Sequence, residues 1–175
     1  MQKVYDAYPD YFDIKFGTYS NNVIRKELDY VSHSLSKGAR ILDLRSGPGN
    51  HAHYFKDCGF DVYCLDFSEA ILKKCREKGL KTVKMDFENM SFSPESFNMV
   101  WAYTSLLHIP KERVPRVISL IHNILTNGGH FGISIKEGNG EGFFNFQKGG
   151  NRWFSLYTDK EIRLILENAF FVEKH

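Results

Sequence analysis

Short apolar segments and amphipathic stripes alternate along most of this chain. Apolar segments of a few residues predict strands, and apolar residues at helical spacing predict helices. In chain order the pattern predicts strand 40–44, helix 50–58, strand 60–65, helix 68–78, strand 82–85, strand 97–103, helix 115–125 and strand 131–135. Strands that alternate with helices are typical of the α/β class. We therefore expect a doubly wound, mostly parallel sheet with helices on both faces.

Both ends of the chain also carry helix signals. Before the first strand, apolar residues at helical spacing predict a helix capped by Asn21 or Asn22. These apolar positions are Ile24, Leu28, Val31 and Leu35. Thr158-Asp-Lys-Glu161 is a capping box, and we expect it to open the last helix.

Glycines and aromatic residues are concentrated between the fifth predicted strand and the last helix. Gly138-Asn-Gly-Glu-Gly142 and Gly149-Gly150 predict a flexible loop. The aromatic side chains in or beside it are Phe143, Phe144, Phe146, Trp153 and Phe154. These rings either cover a ligand or fold back on the core, and the sequence favours neither.

Composition limits the classes of partner. The 175 residues have the length of one domain, in which we expect residues 1–37 to form an N-terminal lid or helix and residues 38–175 the core. Net charge is +2 with acids and bases interspersed, so nucleic acid binding is not favoured. No apolar run approaches the roughly 20 residues of a membrane span, so we expect a cytoplasmic protein. The three cysteines form no Cys-x-x-Cys pair, and we expect no metal.

The turn after the first strand predicts a cofactor site. Gly47 and Gly49 let the backbone approach a ligand, and Asp66 ends the next strand, where it can accept hydrogen bonds from a ribose. The spacing Gly47-x-Gly49-x-x-Ala52 also suits a nicotinamide dinucleotide. However, the acid Asp43 at the end of the first strand would repel a pyrophosphate, whereas S-adenosylmethionine carries an ammonium and a sulfonium.

These motifs resemble the class I S-adenosylmethionine-dependent methyltransferases. The similarity runs through Ile41 to Gly49, Val62 to Ser68, Phe97 to Pro110 and Asn127 to Gly138. The resemblance implies the Rossmann-like methyltransferase fold and S-adenosylmethionine as cofactor. It also implies residue roles: Asp43 and Gly47 near the methionine end, Asp66 at the ribose, Phe67, Asp86 and Phe87 at the adenine, and Tyr103 lining the site.

The chain departs from the family pattern in two places. Arg45 stands where the family usually has glycine, and its side chain either fills space needed by the methionine part or pairs with the methionine carboxylate. The family usually completes its sheet with two further strands, whereas residues 170–175 leave room for one at most. The last strand is therefore expected to be missing. A partner subunit, in a homodimer, or a rearranged loop would then cover the fifth strand.

The chemistry is predicted from the region after the fourth strand. His108 is the candidate general base, and its alternative role is a structural histidine that bonds its own loop. No Asn-Pro-Pro-Tyr-like sequence follows the strand, which favours a small-molecule acceptor. Tyr11 and Tyr19 lie in an aromatic N-terminal run that forms either a lid or a packed helix. The alternative to an enzyme is a non-catalytic binding or regulatory member of the family.

Overall fold

The structure of the chain, a computed structural model, describes residues 8–22, 24–146 and 150–173. The helices are α1 (Pro9–Asn22), α2 (Arg25–Ser34), α3 (Asn50–Asp57), α4 (Glu69–Glu77), α5 (Val114–Ile124) and α6 (Asp159–Glu167). The strands are β1 (Arg40–Leu44), β2 (Asp61–Asp66), β3 (Lys81–Lys84), β4 (Phe97–Tyr103), β5 (Leu125–Ser134), β6 (Glu141–Phe146) and β7 (Gly150–Ser155). Short 3₁₀ helices cover Phe87–Asn89, Leu106–His108 and Lys111–Arg113.

Five strands form one parallel sheet in the order β3-β2-β1-β4-β5. Asp43 in β1 lies opposite Cys64 in β2 and Trp101 in β4, and Tyr103 lies opposite Ser134 in β5. Because all five strands run in the same direction, their carboxyl ends meet at one edge of the sheet. Ligands of open α/β sheets bind at this edge. The predicted fold class, a doubly wound parallel sheet, is confirmed.

Each face of the sheet has its own apolar core. Leu28 of α2, Phe55 of α3 and Leu72 of α4 are fully buried on one face. The stripe of α5 and Ile162 of α6 pack on the other face. This division follows from the strands, in which successive side chains point to opposite faces. Helices on both faces therefore hold the carboxyl edge in place.

Several predicted details are wrong. The predicted flexible loop is instead the antiparallel hairpin β6–β7, in which Phe143 lies opposite Trp153. The strand predicted at 131–135 begins at Leu125. Leu125 pairs with Phe97 and His130 pairs with Met99, so the register shifts over the part of β5 that contains Gly128 and Gly129. Asn21 and Asn22 do not cap α2; they end α1.

Hydrogen bonds and ion pairs attach the first helix to the core. Phe12 of α1 is buried, and the Lys78 ammonium donates hydrogen bonds to Asp13 Oδ1 at 2.6 Å, Pro48 O at 2.7 Å and Asn50 Oδ1 at 2.8 Å. One lysine therefore joins α1 to the turn between β1 and α3. Of the two predicted alternatives, the structure shows a packed helix, and that helix lies against this turn.

The sheet ends at β5, and the described residues after α6 add no strand to it. Among the helices of the described ranges, none is long and apolar enough to cross a membrane. The capping box predicted at Thr158 is present, since the Thr158 hydroxyl accepts from Glu161 N and the Glu161 carboxylate accepts from Thr158 N. It fixes the start of α6 directly after the hairpin.

The packing of β4 against β5 predicts the effect of one substitution. A Cβ at Gly132 would lie 2.5 Å from Trp101 Cε3 and 2.9 Å from Met99 Cε. Gly132→Ala should therefore lower the free energy of unfolding by about 1–3 kcal/mol, because the indole must move. The matched control is Gly142→Ala, where a Cβ meets nothing within 4 Å; it should change stability by less than about 0.5 kcal/mol. Urea denaturation of both variants tests this, and equal midpoints would contradict it.

Candidate active site

The turn from β1 to α3 is built tightly onto α4. Gly49 has φ +78°, and a Cβ there would lie 2.7 Å from Leu80 Cδ1 and 3.0 Å from Cys75 Sγ. Only glycine accepts both the left-handed backbone and this close approach. The Cys75 thiol donates to Gly47 O at 3.2 Å and so supports the same turn. The two glycines predicted for the cofactor site therefore do form a tight turn at the carboxyl edge.

Asp43 is a buried carboxyl group with an unsatisfied oxygen. Asp43 is 3% exposed, and its Oδ2 has no hydrogen-bond partner within the described part of the chain. Burial raises the pKa of Asp43 to about 8, and the nearby Asp66 adds to the rise, whereas the backbone N–H of Ala52 opposes it. Asp43 is therefore mainly protonated at neutral pH. A cation or a strong donor beside it would favour its ionised form.

Asp66 ends β2, whereas Asp86 lies two residues after the end of β3, and the two acids have different surroundings. Asp66 is buried, and burial raises its pKa against the opposing effects of the Ser68 backbone N–H and of Arg45. Asp86 is exposed, and its carboxylate accepts from Glu88 N and Asn89 Nδ2, both at 3.0 Å. Asp86 therefore caps its own 3₁₀ helix, whereas Asp66 shares the buried site with Asp43.

Arg45 lies across the predicted adenine contacts. Its guanidinium carbon is 5.8 Å from the ring centroid of Phe67 and 5.6 Å from that of Phe87. Its backbone has φ +54°, a left-handed conformation that costs a non-glycine residue roughly 1–2 kcal/mol. From its place in the glycine motif, Arg45 is expected to act at the methionine end. The structure instead places its charged group with the aromatic pair.

His108 connects the loop after β4 to the hairpin. Its Nδ1 is 2.9 Å from Trp153 O, and a carbonyl oxygen only accepts, so Nδ1 carries the hydrogen and Nε2 keeps the lone pair. Its partner lies on β7, not in its own loop. Burial lowers the pKa of His108 to about 3, with further lowering by Arg45, Arg152 and Lys136. In this state the imidazole is neutral and is a weak base.

Tyr103 belongs to an aromatic group that sequence reasoning missed. Its ring stacks on Trp101 at 5.7 Å and meets His51 edge-on at 5.1 Å. Trp101 Nε1 donates to His51 Nδ1 at 3.1 Å, so the neutral imidazole carries its hydrogen on Nε2. Burial lowers the pKa of His51 to about 4. The alternation of side chains along β4 does place Trp101 and Tyr103 on one face of the sheet. No local sequence pattern, however, predicts that His51 contacts them.

The remaining predicted contacts lie on α1. Tyr11 is partly buried and meets Phe12 edge-on at 5.3 Å. The side chain of Tyr19 lies outside the described residues. Within the described ranges no group of three His, Cys, Asp or Glu side chains could hold a metal ion. The groups at the carboxyl edge that could hold an organic cofactor with a cationic part are the turn, Asp43, Asp66 and the two phenylalanines.

Comparison with known proteins identifies the family. Residues 41–129, slightly more than half of the chain, match the family described as "Methyltransferase domain". This chain belongs to that methyltransferase family. The matched range contains the glycine turn, Asp43, Asp66 and His108, and it favours the methyltransferase interpretation over a nicotinamide site. The predicted resemblance is confirmed.

Individual relatives agree with this membership. A sarcosine/dimethylglycine N-methyltransferase of Aphanothece halophytica is 33% identical to this chain over an alignment of 103 positions, which covers 54% of this chain and 36% of the relative. The chain thus spans about a third of the length of the curated relatives it matches.

Two solved structures show the same fold. The PH0226 protein of Pyrococcus horikoshii OT3 superposes with a TM-score of 0.78 at 20% identity, covering 96% of this chain and 89% of that one. The 1,6-didemethyltoxoflavin-N1-methyltransferase of Burkholderia thailandensis, with bound 1,6-didemethyltoxoflavin and S-adenosylhomocysteine, has a TM-score of 0.69 at 19% identity. The superposition covers 90% of this chain and 72% of that one.

The buried Asp43 predicts how stability depends on pH. The pKa of Asp43 is about 8 in the folded state, above its ordinary value of 3.8. The stabilisation of the fold by protonated Asp43 is therefore complete below pH 3.8 and is lost as the pH rises towards 8. Over this range the loss is on the order of 1 kcal/mol per pH unit. Asp43→Asn should remove this dependence, measured by urea denaturation at pH 5, 6 and 7. The exposed Asp57→Asn is the control, and parallel curves for both variants would refute the assignment.

Proposed function

We propose that this chain binds S-adenosylmethionine and transfers its methyl group to a small-molecule acceptor. The observation that carries the proposal is the pair of buried acids, Asp43 and Asp66, beside the glycine turn at the carboxyl edge. A buried carboxyl oxygen without a partner is costly unless a ligand donates to it. Family membership and the S-adenosylhomocysteine in the Burkholderia relative support this choice of cofactor.

We assign different residues to the different parts of the cofactor. Asp43 and Gly47 would hold its methionine end, with the ammonium favouring ionised Asp43, and Gly49 would keep the turn open. Asp66 would accept from the ribose hydroxyls. When bound, S-adenosylmethionine supplies a methyl group already activated by its sulfonium. The protein then has to position the acceptor and, where the acceptor carries a proton, remove it.

Phe67, Phe87 and Asp86 are the proposed adenine contacts, and Arg45 lies over the first two. Its guanidinium now lies over both rings. It must leave them before an adenine can pack there, which makes Arg45 a competitor for this part of the site. This same observation favours the second candidate function, a non-catalytic member of the family in which Arg45 keeps the cofactor out.

For the acceptor side we propose Tyr103 as a lining residue and His108 as the general base. His108 keeps a lone pair on Nε2, which is the atom that can accept a proton. The named substrates of the relatives, sarcosine, dimethylglycine and 1,6-didemethyltoxoflavin, are small molecules, which supports a small acceptor. We propose neither a nucleic acid nor a membrane partner.

Domain organisation, assembly and location stay proposals. We propose one domain over residues 1–175, with residues 1–37 preceding the core, in a cytoplasmic protein. We also propose a homodimer in which a second copy covers the outer edge of β5. A groove of about 1320 Å³ runs along this edge between apolar side chains that include Phe131 and Ile133. Such an edge is the usual place for an added strand.

Calorimetric titration with S-adenosylhomocysteine tests the cofactor proposal. Arg45→Gly should bind about 5- to 30-fold more tightly than the unaltered chain, because it removes two cation–π contacts of roughly 0.5–1 kcal/mol each. Glycine also accepts the left-handed backbone at this position. The control Arg163→Ala, on α6, removes the same charge elsewhere and should leave affinity unchanged.

Three outcomes are distinguishable. Binding by the unaltered chain supports a working methyltransferase. Binding by Arg45→Gly alone supports the non-catalytic alternative. Absence of binding by both proteins would sink the cofactor proposal, and equal affinities would sink the competition by Arg45.

If His108 is the base, its removal should affect turnover far more than cofactor binding. Once an acceptor supports turnover, His108→Ala should lower the rate of S-adenosylhomocysteine formation by about 100-fold or more. Its affinity for S-adenosylhomocysteine should change by less than about threefold. His33→Ala, exposed on α2, is the matched control. Turnover at the unaltered rate in His108→Ala would rule out His108 as the base.

A further inference from the structure

One lysine at the end of α4 connects three elements that meet at the glycine turn. The Lys78 ammonium donates hydrogen bonds to Asp13 Oδ1 of α1 at 2.6 Å and to Pro48 O in the turn at 2.7 Å. It also donates to Asn50 Oδ1 at the start of α3, at 2.8 Å. An ammonium group has three hydrogens, so all of them are used. Asn50 closes the network, because its Nδ2 donates to Asp13 O at 3.3 Å.

The contact between α1 and α4 is partly shielded from water. The side chains of Lys78 and Asp13 are only 20% and 28% exposed, so solvent and salt screen this pair less than a pair on the open surface. Hydrogen bonds between charged groups are also roughly twice as strong as neutral ones. A second pair, Lys74 with Asp10 at 2.6 Å, lies about one helical turn earlier on both helices. Two ion pairs in register therefore hold α1 against α4.

The position of the Lys78 ammonium is set by α3 and α4. Lys78 directly follows α4, and the Lys56 ammonium of α3 donates to Lys78 O at 3.2 Å and to Gly79 O at 3.0 Å. Lys56 thus holds the end of α4, while Lys78 holds the start of α3. Because both contacts lie outside α1, the ammonium is already in place when α1 packs against it.

We propose that Lys78 positions the glycine turn and couples its conformation to the packing of α1, so that affinity for the cofactor depends on this helix. Pro48, whose carbonyl Lys78 holds, lies between Gly47 and Gly49 of the turn. Lys78 acts through the backbone of the turn and is therefore a positioning residue. The effect on affinity rests on the proposed cofactor, whereas the coupling of α1 to the turn is a property of the chain alone.

The coupling brings a segment outside the matched domain to the site. The family match begins at residue 41, so α1 lies before it, whereas Pro48, Asn50 and Lys78 lie inside it. A packed α1 offers the Asp13 carboxylate to the ammonium, and the ammonium then keeps the Pro48 carbonyl in place. Thermodynamic linkage makes the effect reciprocal, so a ligand that fixes the turn should also favour the packed helix.

Hydrogen exchange measured by NMR tests the coupling in the ligand-free chain. The amides of Gly49 and His53 report on the turn and the amide of Phe12 reports on α1, because each donates a backbone hydrogen bond. Lys78→Met should speed exchange of all three by about tenfold or more. Exchange within β1 and β4 should stay the same, which separates the coupling from a loss of global stability.

A change on α1 alone provides the sharper test. Asp13→Asn should speed exchange at Gly49 by about threefold or more, and it should add nothing in the Lys78→Met background, where the link is already removed. The matched control Lys73→Met, exposed on α4, should leave exchange unchanged. Unchanged exchange at Gly49 in Asp13→Asn, or equal effects of Lys78→Met and Lys73→Met, would overturn the proposal.

Calorimetric titration with S-adenosylhomocysteine tests the effect on the cofactor. In the Arg45→Gly background, Lys78→Met should weaken binding by about tenfold and Asp13→Asn by about threefold, whereas Lys73→Met should not change it. The ligand should also slow exchange at Phe12 by about threefold. Equal affinities with and without Lys78→Met would overturn the role of Lys78 in cofactor binding. If none of these proteins binds the ligand, the proposed function fails, and exchange in the ligand-free chain still decides whether Lys78 couples α1 to the turn.

Discussion

The tight turn between β1 and α3 is the constraint on which the site depends. Gly49 has a left-handed backbone, and Leu80 and Cys75 leave no room beside it for a side chain. The turn determines where α3 begins, and through Lys78 it also holds α1 against the core. Because the turn follows β1, which carries Asp43, its position also determines where the buried acid would meet the proposed cofactor. The parallel sheet then brings Asp66 to the same edge.

Arg45 shows how one residue changes a site without changing the fold. The backbone accepts a left-handed arginine at a cost of roughly 1–2 kcal/mol, and the sheet on either side is regular. The long side chain reaches beyond the methionine end of the proposed site and comes to rest over Phe67 and Phe87. Its charge opposes the raised pKa of Asp66 and lowers that of His108. A single guanidinium therefore links the cofactor side to the acceptor side.

The β6–β7 hairpin forms the acceptor side of the proposed site. It lies between β5 and α6, outside the parallel sheet, and its contact with His108 positions it over the carboxyl edge. Its own side chains bring a positive charge and an aromatic ring to the edge that already carries two buried acids. The buried acids suit a cofactor with a cationic part, because such a cofactor would favour their ionised form. The hairpin lies beside His108, where it would help to position the acceptor.

Local patterns in the sequence were sufficient for the alternating elements, the β1 strand at Arg40–Leu44, the glycine turn and the capping box at Thr158, because each depends on neighbours in the chain. The two glycine clusters near aromatic residues, Gly138–Gly142 and Gly149-Gly150, predict a flexible loop, although segments separated by a short glycine-containing connection also suit a hairpin. The contacts of His51 with Trp101 and of Arg152 with Phe154 beside His108 could not be predicted. They depend on which strands are neighbours and in what register, and that is a property of the whole chain.

The sequence by itself therefore determined the fold class, the family and the acids at the strand ends. Only the tertiary structure decided where the charges of Arg45, Lys136 and Arg152 lie, because long side chains reach across the edge formed by several strands.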